Sequence, residues 1–158
     1  YGQDAGEWVD ETSPALAESF NGRVLREAER QNLTNSGNRV LRLSGITGPG
    51  RHTMVNKALL GEGIANAWSN RIHIDDAASA LSHLLELPDP ESLWIASDDL
   101  PALQIDVANW IRTGHGLPAL PPFAQAPTGR RIANARLKAS GWQPVFPTYR
   151  DSYAVPGV

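Results

Sequence analysis

Cysteine is absent from the 158 residues of this chain, which excludes disulfide bridges, thiolate nucleophiles and cysteine-ligated metal sites. No apolar run approaches the roughly 20 residues that a membrane span requires, and there is no signal-peptide pattern. Basic residues are not in excess, since the formal net charge is −3, so no basic face is expected to bind a row of phosphates. We therefore expect no nucleic-acid partner, no membrane contact and a cytoplasmic location.

Several motifs that identify enzymes from sequence are also missing. There is no G-x-S-x-G nucleophile elbow, no P-loop and no G-x-G-x-x-G dinucleotide loop. A metal site is a weak alternative, in which His73 and Asp75 of "HIDD" join a distant His115 as a facial triad. That pattern runs straight into a helix, so we favour a hydrogen-bonded strand histidine followed by Asp75 or Asp76 as the helix cap.

What the chain does contain is an alternation of strand and helix patterns. Strands are predicted over 38–46, 70–74 and 92–98, and helices over 20–31, 53–60, 76–87, 102–114 and 134–141. The alternation predicts an α/β fold. Three strands make a thin sheet, and the chain starts without Met at Tyr1, so we expect a fragment whose remaining strands lie upstream.

The first predicted helix lies in "AESFNGRVLREAERQ", residues 17–31. Val24, Leu25 and Ala28 form an apolar edge, and the opposite face is charged. Ser13 and Pro14, just before it, match a helix cap followed by proline at the first helical position. The pattern predicts a helix that packs through one edge, without indicating what it packs against.

Four stretches, in order and at the right spacing, resemble the extended short-chain dehydrogenase/reductase family, the NAD(P)-dependent epimerases and dehydratases of nucleotide sugars. "YG" followed by "WVDETSP" resembles the Val-Tyr-Gly and acidic segment after the central strand. The other three are "RLSGITGPGR" (42–51), similar to R-x-x-x-x-Y-G-P-G-R, "RIHIDDAASAL" (71–81), and the C-terminal "NARLKASGWQPVFPTYRDSYA" (134–154).

The resemblance implies that residues 1–158 are the second half of a Rossmann-type, doubly wound sheet. A small substrate lobe would comprise about 46–72 and 99–158, and the dinucleotide-binding half would lie upstream. The implied cofactor is NAD or NADP. The implied partners are a small-molecule substrate, with a sugar nucleotide as one candidate, and a second copy in a homodimer.

The resemblance also assigns the first helix a catalytic position. Family members carry Tyr-x-x-x-Lys there, in which lysine lowers the pKa of the tyrosine that moves a proton. Aligning "NGRVLREAE" places Asn21 at the tyrosine and Leu25 at the lysine. Neither side chain can titrate in that role. Tyr1 is the only tyrosine near the expected site and is therefore the candidate catalytic acid/base, although we favour a packing role for it beside the cofactor.

The remaining site residues are candidates for binding. Ser44 and Gly45 end a predicted strand at the expected cofactor edge. Arg51, Arg71 and Arg131 are candidate contacts for an anionic substrate, because arginine binds phosphate and carboxylate through a planar fork. A non-catalytic NAD(P)-binding sensor or interaction module of the same fold is the alternative function, and a fragment without independent function is a third.

Overall fold

A computed structural model of the protein describes residues 1–16, 18–88 and 91–154. The helices are α1 (Phe20–Asn32), α2 (Thr53–Leu60), α3 (Ile74–Glu86), α4 (Gln104–Gly114), α5 (Ala135–Ala139) and α6 (Tyr149–Ala154). The strands are β1 (Ala5–Val9), β2 (Val40–Leu43), β3 (Gly45–Thr47), β4 (Trp68–Ser69), β5 (Arg71–His73), β6 (Leu93–Ala96), β7 (Ala102–Leu103) and β8 (Gly129–Ile132).

The centre of the fold is one extended stretch that changes its partner at Ser44. Strand β2 pairs in parallel with β6, and β3 pairs in parallel with β5. At the change, the Ser44 N–H donates to the Ala96 carbonyl and the Gly45 N–H donates to the Asn70 carbonyl. The single strand predicted over 38–46 is therefore two strands. Parallel pairs joined through helices confirm the α/β fold class.

Two further strand pairs lie beside this centre. Strand β1 is parallel to β8, and β4 is antiparallel to β7. The sequence did not predict β1, β4, β7 or β8, because these strands are short and lack an alternating apolar pattern. Strand β8 begins with Gly129 at a φ of +82°, and a Cβ there would lie 2.9 Å from the Trp68 carbonyl oxygen. Close backbone approach thus requires glycine at this position.

Helix α3 packs through the face that the sequence predicts. Ala77, Ala80 and Leu84 are buried and pack in one cluster with Trp94 of β6. The predicted cap is wrong: His73 is the N-cap residue, and its Nδ1 accepts from the Asp75 N–H at 3.3 Å. The two aspartates lie in the first helical turn, where a negative charge interacts favourably with the helix dipole.

Helix α1 is present over the predicted residues but buries none of them. Its N-cap is Ser19, whose Oγ accepts from the Gly22 N–H. The prediction of Ser13 and Pro14 as the helix start is wrong, because the Ser13 N–H and hydroxyl instead bond to Asp10 in a turn. The apolar edge of α1 therefore faces no partner within the described residues.

A second core lies between α2, α4 and α6. Its buried members are Val55, Ala58, Ala102, Val107, Ala108, Ile111 and Tyr149. The two cores hold β5 and α2 in place on either side of the loop that follows β3. No helix of the described residues is long and apolar enough to cross a membrane.

Candidate functional site

The loop after β3 forms one wall of a cavity of about 720 Å³. Open α/β sheets bind ligands outside the carboxyl ends of their strands, and β3 ends here at Thr47. Gly48 has a φ of +130°, and a Cβ there would lie 2.8 Å from Ile74 Cγ2. The polar residues that line the cavity are Arg51, Lys57, Asn70, Arg71, Gln104 and Tyr153, together with Ser69, Thr47 and Thr53. We call it the basic cavity.

The charge of the basic cavity is positive. Arg51, Lys57 and Arg71 line it, and none of its lining residues is an aspartate or a glutamate. A chain with a net charge of −3 thus places three cations around one concave surface. Low-dielectric walls of one charge sign focus the electrostatic potential toward ligands of the opposite sign.

Arg71 is the buried cation of this cavity, with 5% of the residue exposed. Its Nη2 donates to the Ser69 hydroxyl, and its guanidinium carbon lies 5.5 Å from the centre of the Tyr149 ring. Its Nη1 has no hydrogen-bond partner among the described residues and lies 3.9 Å from Asp98 Oδ2. This unpartnered nitrogen is itself buried beside Asp98 and is not exposed to the cavity.

Asp98 follows β6 and lies behind Arg71, with 1% of the residue exposed. Burial raises the pKa of its carboxyl from 3.8 to about 7, against the opposing effect of the Arg71 charge. The nearby Asp99 and Asp151 raise this pKa further. The Asp98 carboxyl consequently changes its charge near neutral pH, next to a cation of the cavity.

A second concave surface, which we call the α1 groove, lies between α1 and β2 and has a volume of about 440 Å³. Tyr1 lies in it, and its hydroxyl accepts from Arg42 Nη1 at 2.8 Å. Arg42 also forms an ion pair of 2.6 Å with Glu29 of α1. Burial raises the pKa of the Tyr1 phenol, although the Arg42 hydrogen bond acts in the opposite direction. Tyr1 is thus a protonated phenol at neutral pH.

Two consecutive residues, Ser44 and Gly45, line the two different concave surfaces. Ser44 lines the α1 groove and Gly45 lines the basic cavity. The Ser44 Oγ is buried without a hydrogen-bond partner among the described residues. A Cβ at Gly45 would lie 3.2 Å from the Asn70 carbonyl oxygen.

The two positions that the resemblance aligns with the family's tyrosine and lysine, Asn21 and Leu25, differ in location. Leu25 lines the α1 groove, whereas Asn21 is not among its lining residues. Leu25 contributes an apolar surface where a lysine would contribute a charge.

Arg131 lies away from both concave surfaces. Its guanidinium carbon lies 5.1 Å from the ring centre of Trp8 and 4.9 Å from that of Trp68, and its Nε donates to the Gly6 carbonyl. The structure therefore brings Arg51 and Arg71 together but not Arg131. Within residues 1–16, 18–88 and 91–154, no group of three or more His, Asp or Glu side chains could hold a metal ion.

The residues that the sequence interpretation missed include two that line the basic cavity and one that lies beside Arg71. Lys57 lies on α2, Tyr153 on α6, and Asp98 just after β6. Asp98 had a usable signal, since polar residues after a parallel strand lie at the ligand-binding edge. Lys57 and Tyr153 had none, because only the packing of α2 and α6 brings them to the cavity.

Known proteins share this fold over nearly the whole chain. One solved structure, named as an NAD-dependent epimerase/dehydratase from Methylobacillus flagellatus, is 38% identical in sequence and superposes with a TM-score of 0.88. The match covers 98% of this chain and 58% of that protein. A human epimerase family protein, SDR39U1, solved with NADPH, is 22% identical with a TM-score of 0.78, over 96% and 60%. Escherichia coli protein YeeZ is 36% identical over 89 residues, covering 54% of this chain and 32% of YeeZ.

These matches confirm the resemblance that the sequence motifs indicated. The chain has the fold of the C-terminal part of NAD-dependent epimerase/dehydratase proteins. It spans 58% of the Methylobacillus protein and about a third of YeeZ. No family model matches the chain.

Proposed function

We propose that the chain is the C-terminal part of an NAD(P)-dependent epimerase/dehydratase-type protein that binds a small-molecule substrate in the basic cavity. The observation that carries the proposal is the match at 38% identity over 98% of the chain. The human structural neighbour was solved with NADPH, which supports NAD or NADP as the cofactor class.

The proposed domain organisation follows from the lengths of the relatives. The chain covers 58% of the Methylobacillus protein, so a preceding part of comparable fold would supply the glycine-rich loop that binds the cofactor diphosphate. That part would also cover the apolar edge of α1. Residues of about 46–72 and 99–158 would form the substrate lobe around the basic cavity.

The residues present fit one end of a dinucleotide. The α1 groove of about 440 Å³ is too small for a whole NAD(P), but it leads to the unpartnered Ser44 Oγ. We propose that Ser44 binds the nicotinamide end of the cofactor, beside Gly45, where a side chain would obstruct the approach. The adenine and diphosphate would then lie in the preceding part of the protein.

The mechanism assigns binding and proton handling to different residues. The cofactor, when bound, supplies hydride transfer. Arg51, Lys57 and Arg71 bind and orient the substrate from the basic cavity. The usual proton-moving dyad is replaced by Asn21 and Leu25, and loss of a positioned acid/base lowers rates by about 10²–10⁴-fold. Turnover is therefore slow, unless the Tyr1 hydroxyl, held by Arg42, moves the proton instead.

The test is cofactor binding and hydride transfer by the full-length protein. We expect NAD or NADP to bind, with a change in nicotinamide absorbance when a substrate panel that includes sugar nucleotides is added. The Ser44→Val variant should weaken binding by about tenfold, as a lost hydrogen bond in a buried site would. The Arg131→Gln variant, outside both concave surfaces, should leave it unchanged. If the protein binds none of the oxidised and reduced forms of NAD and NADP, the proposal is refuted.

The alternative is a non-catalytic NAD(P) sensor of the same fold, favoured by the replaced dyad. A sensor would bind cofactor without turnover on any substrate. Restoring the dyad with Asn21→Tyr and Leu25→Lys distinguishes the two, because an enzyme limited only by proton transfer should accelerate. A homodimer, proposed from the family, is checked by the mass of the protein in solution.

A further inference from the structure

We propose that Tyr1 transfers the proton of the reaction and that Arg42 and Glu29 are the positioning residues that hold its phenol. The inference rests on the proposed function and deepens it, because Asn21 and Leu25, at the positions of the usual dyad, leave proton transfer unassigned. A tyrosine, an arginine and a glutamate would then act where the family uses a tyrosine and a lysine.

The pair of Arg42 and Glu29 fixes one guanidinium group between β2 and α1. Arg42 Nε donates to Glu29 Oε1 at 2.9 Å, and Arg42 Nη2 donates to Glu29 Oε2 at 2.6 Å. Two parallel charge-assisted hydrogen bonds orient an arginine more strictly than a single contact does. The hydrogen bonds to Glu29 also raise the pKa of Arg42 above its already high value. Arg42 therefore stays both charged and oriented.

The remaining terminal nitrogen of Arg42 is directed at the phenol of Tyr1. Arg42 Nη1 donates to Tyr1 Oη at 2.8 Å, and the guanidinium carbon lies 5.0 Å from the centre of the Tyr1 ring. Because arginine has donors only, Tyr1 Oη is the acceptor in this bond and its own proton is not engaged by it. Packing of the ring alone would require neither the cation nor the carboxylate that fixes it.

The charge of Arg42 favours the phenolate form of Tyr1. Burial raises the pKa of the Tyr1 phenol, and the hydrogen bond and charge of Arg42 lower it. The other charged groups around Tyr1 are those of Glu11, Arg26, Glu29 and Arg130. A cation donates a stronger hydrogen bond to a phenolate than to a phenol. Arg42 thus supplies from β2 the stabilisation that Leu25, which lines the same groove, cannot supply from α1.

The proton step balances with hydride transfer to the cofactor class of the proposed function. In the direction of oxidation, a substrate hydroxyl loses its O–H proton to the Tyr1 phenolate and its C–H hydrogen as hydride to oxidised NAD or NADP, which leaves a carbonyl. In the reverse direction, the Tyr1 phenol returns the proton to the carbonyl oxygen. Because the phenol is protonated at neutral pH, oxidation should accelerate as the pH rises.

The first experiment needs neither cofactor nor turnover. In the full-length protein 3,5-difluorotyrosine replaces Tyr1, and its ionisation is followed by fluorine NMR. Fluorination makes the phenol a stronger acid and keeps the ring, so ionisation falls within a milder pH range. Arg42→Gln should move this ionisation to higher pH, because a stabilising charge is lost. Glu27→Gln is the matched control, since it breaks the exposed ion pair with Arg30 on the same helix, and it should leave the ionisation unchanged.

The second experiment measures hydride transfer in a single turnover, with UDP-glucose, UDP-glucuronate and dTDP-glucose as substrates and with NAD and NADP. Tyr1→Phe removes only the hydroxyl and should lower the rate by about 10²–10⁴-fold without loss of cofactor binding. Arg42→Gln and Glu29→Gln should lower it by about ten- to hundredfold, because the phenol is no longer held. Arg42→Lys should recover part of that loss. Glu27→Gln should leave the rate unchanged.

The pH profile separates proton transfer from a structural role. If Tyr1 transfers the proton, the rise of the oxidation rate with pH should move to lower pH in the difluorotyrosine protein, in step with the ionisation seen by NMR. A structural tyrosine would leave the profile where it is. If Tyr1→Phe fails to fold, the difluorotyrosine protein still decides, because it preserves both the ring and the hydroxyl.

The inference is overturned if Tyr1→Phe keeps the rate within about threefold, if fluorination leaves the pH profile unchanged, or if Arg42→Gln does not move the ionisation. It is also overturned if the protein binds NAD or NADP and oxidises none of these substrates. Each of these results, with cofactor binding intact, contradicts this inference alone. Absence of cofactor binding contradicts the proposed function on which it rests.

Discussion

Helices α1 and α3 have the same length, 13 residues, and both carry an apolar face, yet their surroundings differ completely. Helix α3 buries Ala77, Ala80 and Leu84 against β6, whereas α1 buries no residue. Leu25 of α1 is 65% exposed and Leu84 of α3 is 4% exposed. An amphipathic pattern therefore identifies the face that needs a partner, without indicating whether the described residues contain that partner.

The largest difference should appear between one leucine of each helix, the buried Leu84 of α3 and the exposed Leu25 of α1. Leu84→Ala should lower the free energy of unfolding of the chain by about 2–5 kcal/mol, since it leaves a cavity in a packed cluster. Leu25→Ala should change it by less than about 0.5 kcal/mol, because the side chain is already in solvent. Denaturant unfolding of both variants measures the difference.

The variants Leu84→Ala and Leu25→Ala can also be compared in the full-length protein. If a preceding part covers α1 as proposed, Leu25→Ala should become destabilising there by about 1 kcal/mol or more. If Leu25→Ala has an equally small effect in the 158-residue chain and in the full-length protein, α1 stays uncovered. That result would contradict the proposed domain organisation.

The next effect concerns the first turn of α3. Asp76 is 1% exposed, and its two oxygens accept from the Val145 and Phe146 N–H groups at 2.7 and 2.9 Å. Asp76→Asn should cost about 2–4 kcal/mol, because two charge-assisted bonds are weakened in a buried site. Asp75→Asn is the matched control one residue away, with an exposed side chain. Equal stability of the two variants would exclude this role for Asp76.

A third prediction concerns pH and the buried Asp98. Its pKa is raised from 3.8 to about 7 in the folded protein, so its contribution to stability is complete at low pH and is lost as the pH rises through about 7. The free energy of unfolding should therefore fall by about 1–2 kcal/mol between about pH 4.5 and pH 8. Asp98→Asn should flatten this decline, and an unchanged slope in that variant would contradict the assignment.

The smallest effect should come from the exposed carboxylate of α1. Hydrogen bonds from Arg30 and Gln31 lower the pKa of Glu27 from 4.5 to about 2. Its contribution is present above about pH 4.5 and is lost as the pH falls toward 2, the opposite sign to Asp98. Because this pair is exposed to solvent and salt, Glu27→Gln should leave thermal unfolding at neutral pH unchanged. A resolved loss of stability would show that α1 is more tightly held than its exposure indicates.

The sequence predicted those elements that carry a clear apolar period. Helix α3 was recognised because Ala77, Ala80 and Leu84 recur at helical spacing, and the fold class followed from the alternation of elements. The break at Ser44 was missed, since a change of pairing partner leaves no mark on hydropathy. Strand β8 was missed because "GRRI" has no strand pattern and is held by backbone contacts to β1.

The site was predicted in part. Arg51 was identified from a family motif and Arg71 as an arginine suited to an anion, and the structure places both at the basic cavity. Arg131 was identified only as a basic residue, and it instead stacks between Trp8 and Trp68. The Asp98–Arg71 pair depends on which strands become neighbours, and residue spacing alone does not specify that.

The most direct test of the central claim is hydrogen exchange of the full-length protein with and without NADPH and NAD. The account predicts that one of the cofactors protects the segments around Ser44 and Gly45 and the adjacent face of α1, along the α1 groove. Protection confined to other parts of the protein, or no protection at a saturating concentration of either cofactor, would contradict it.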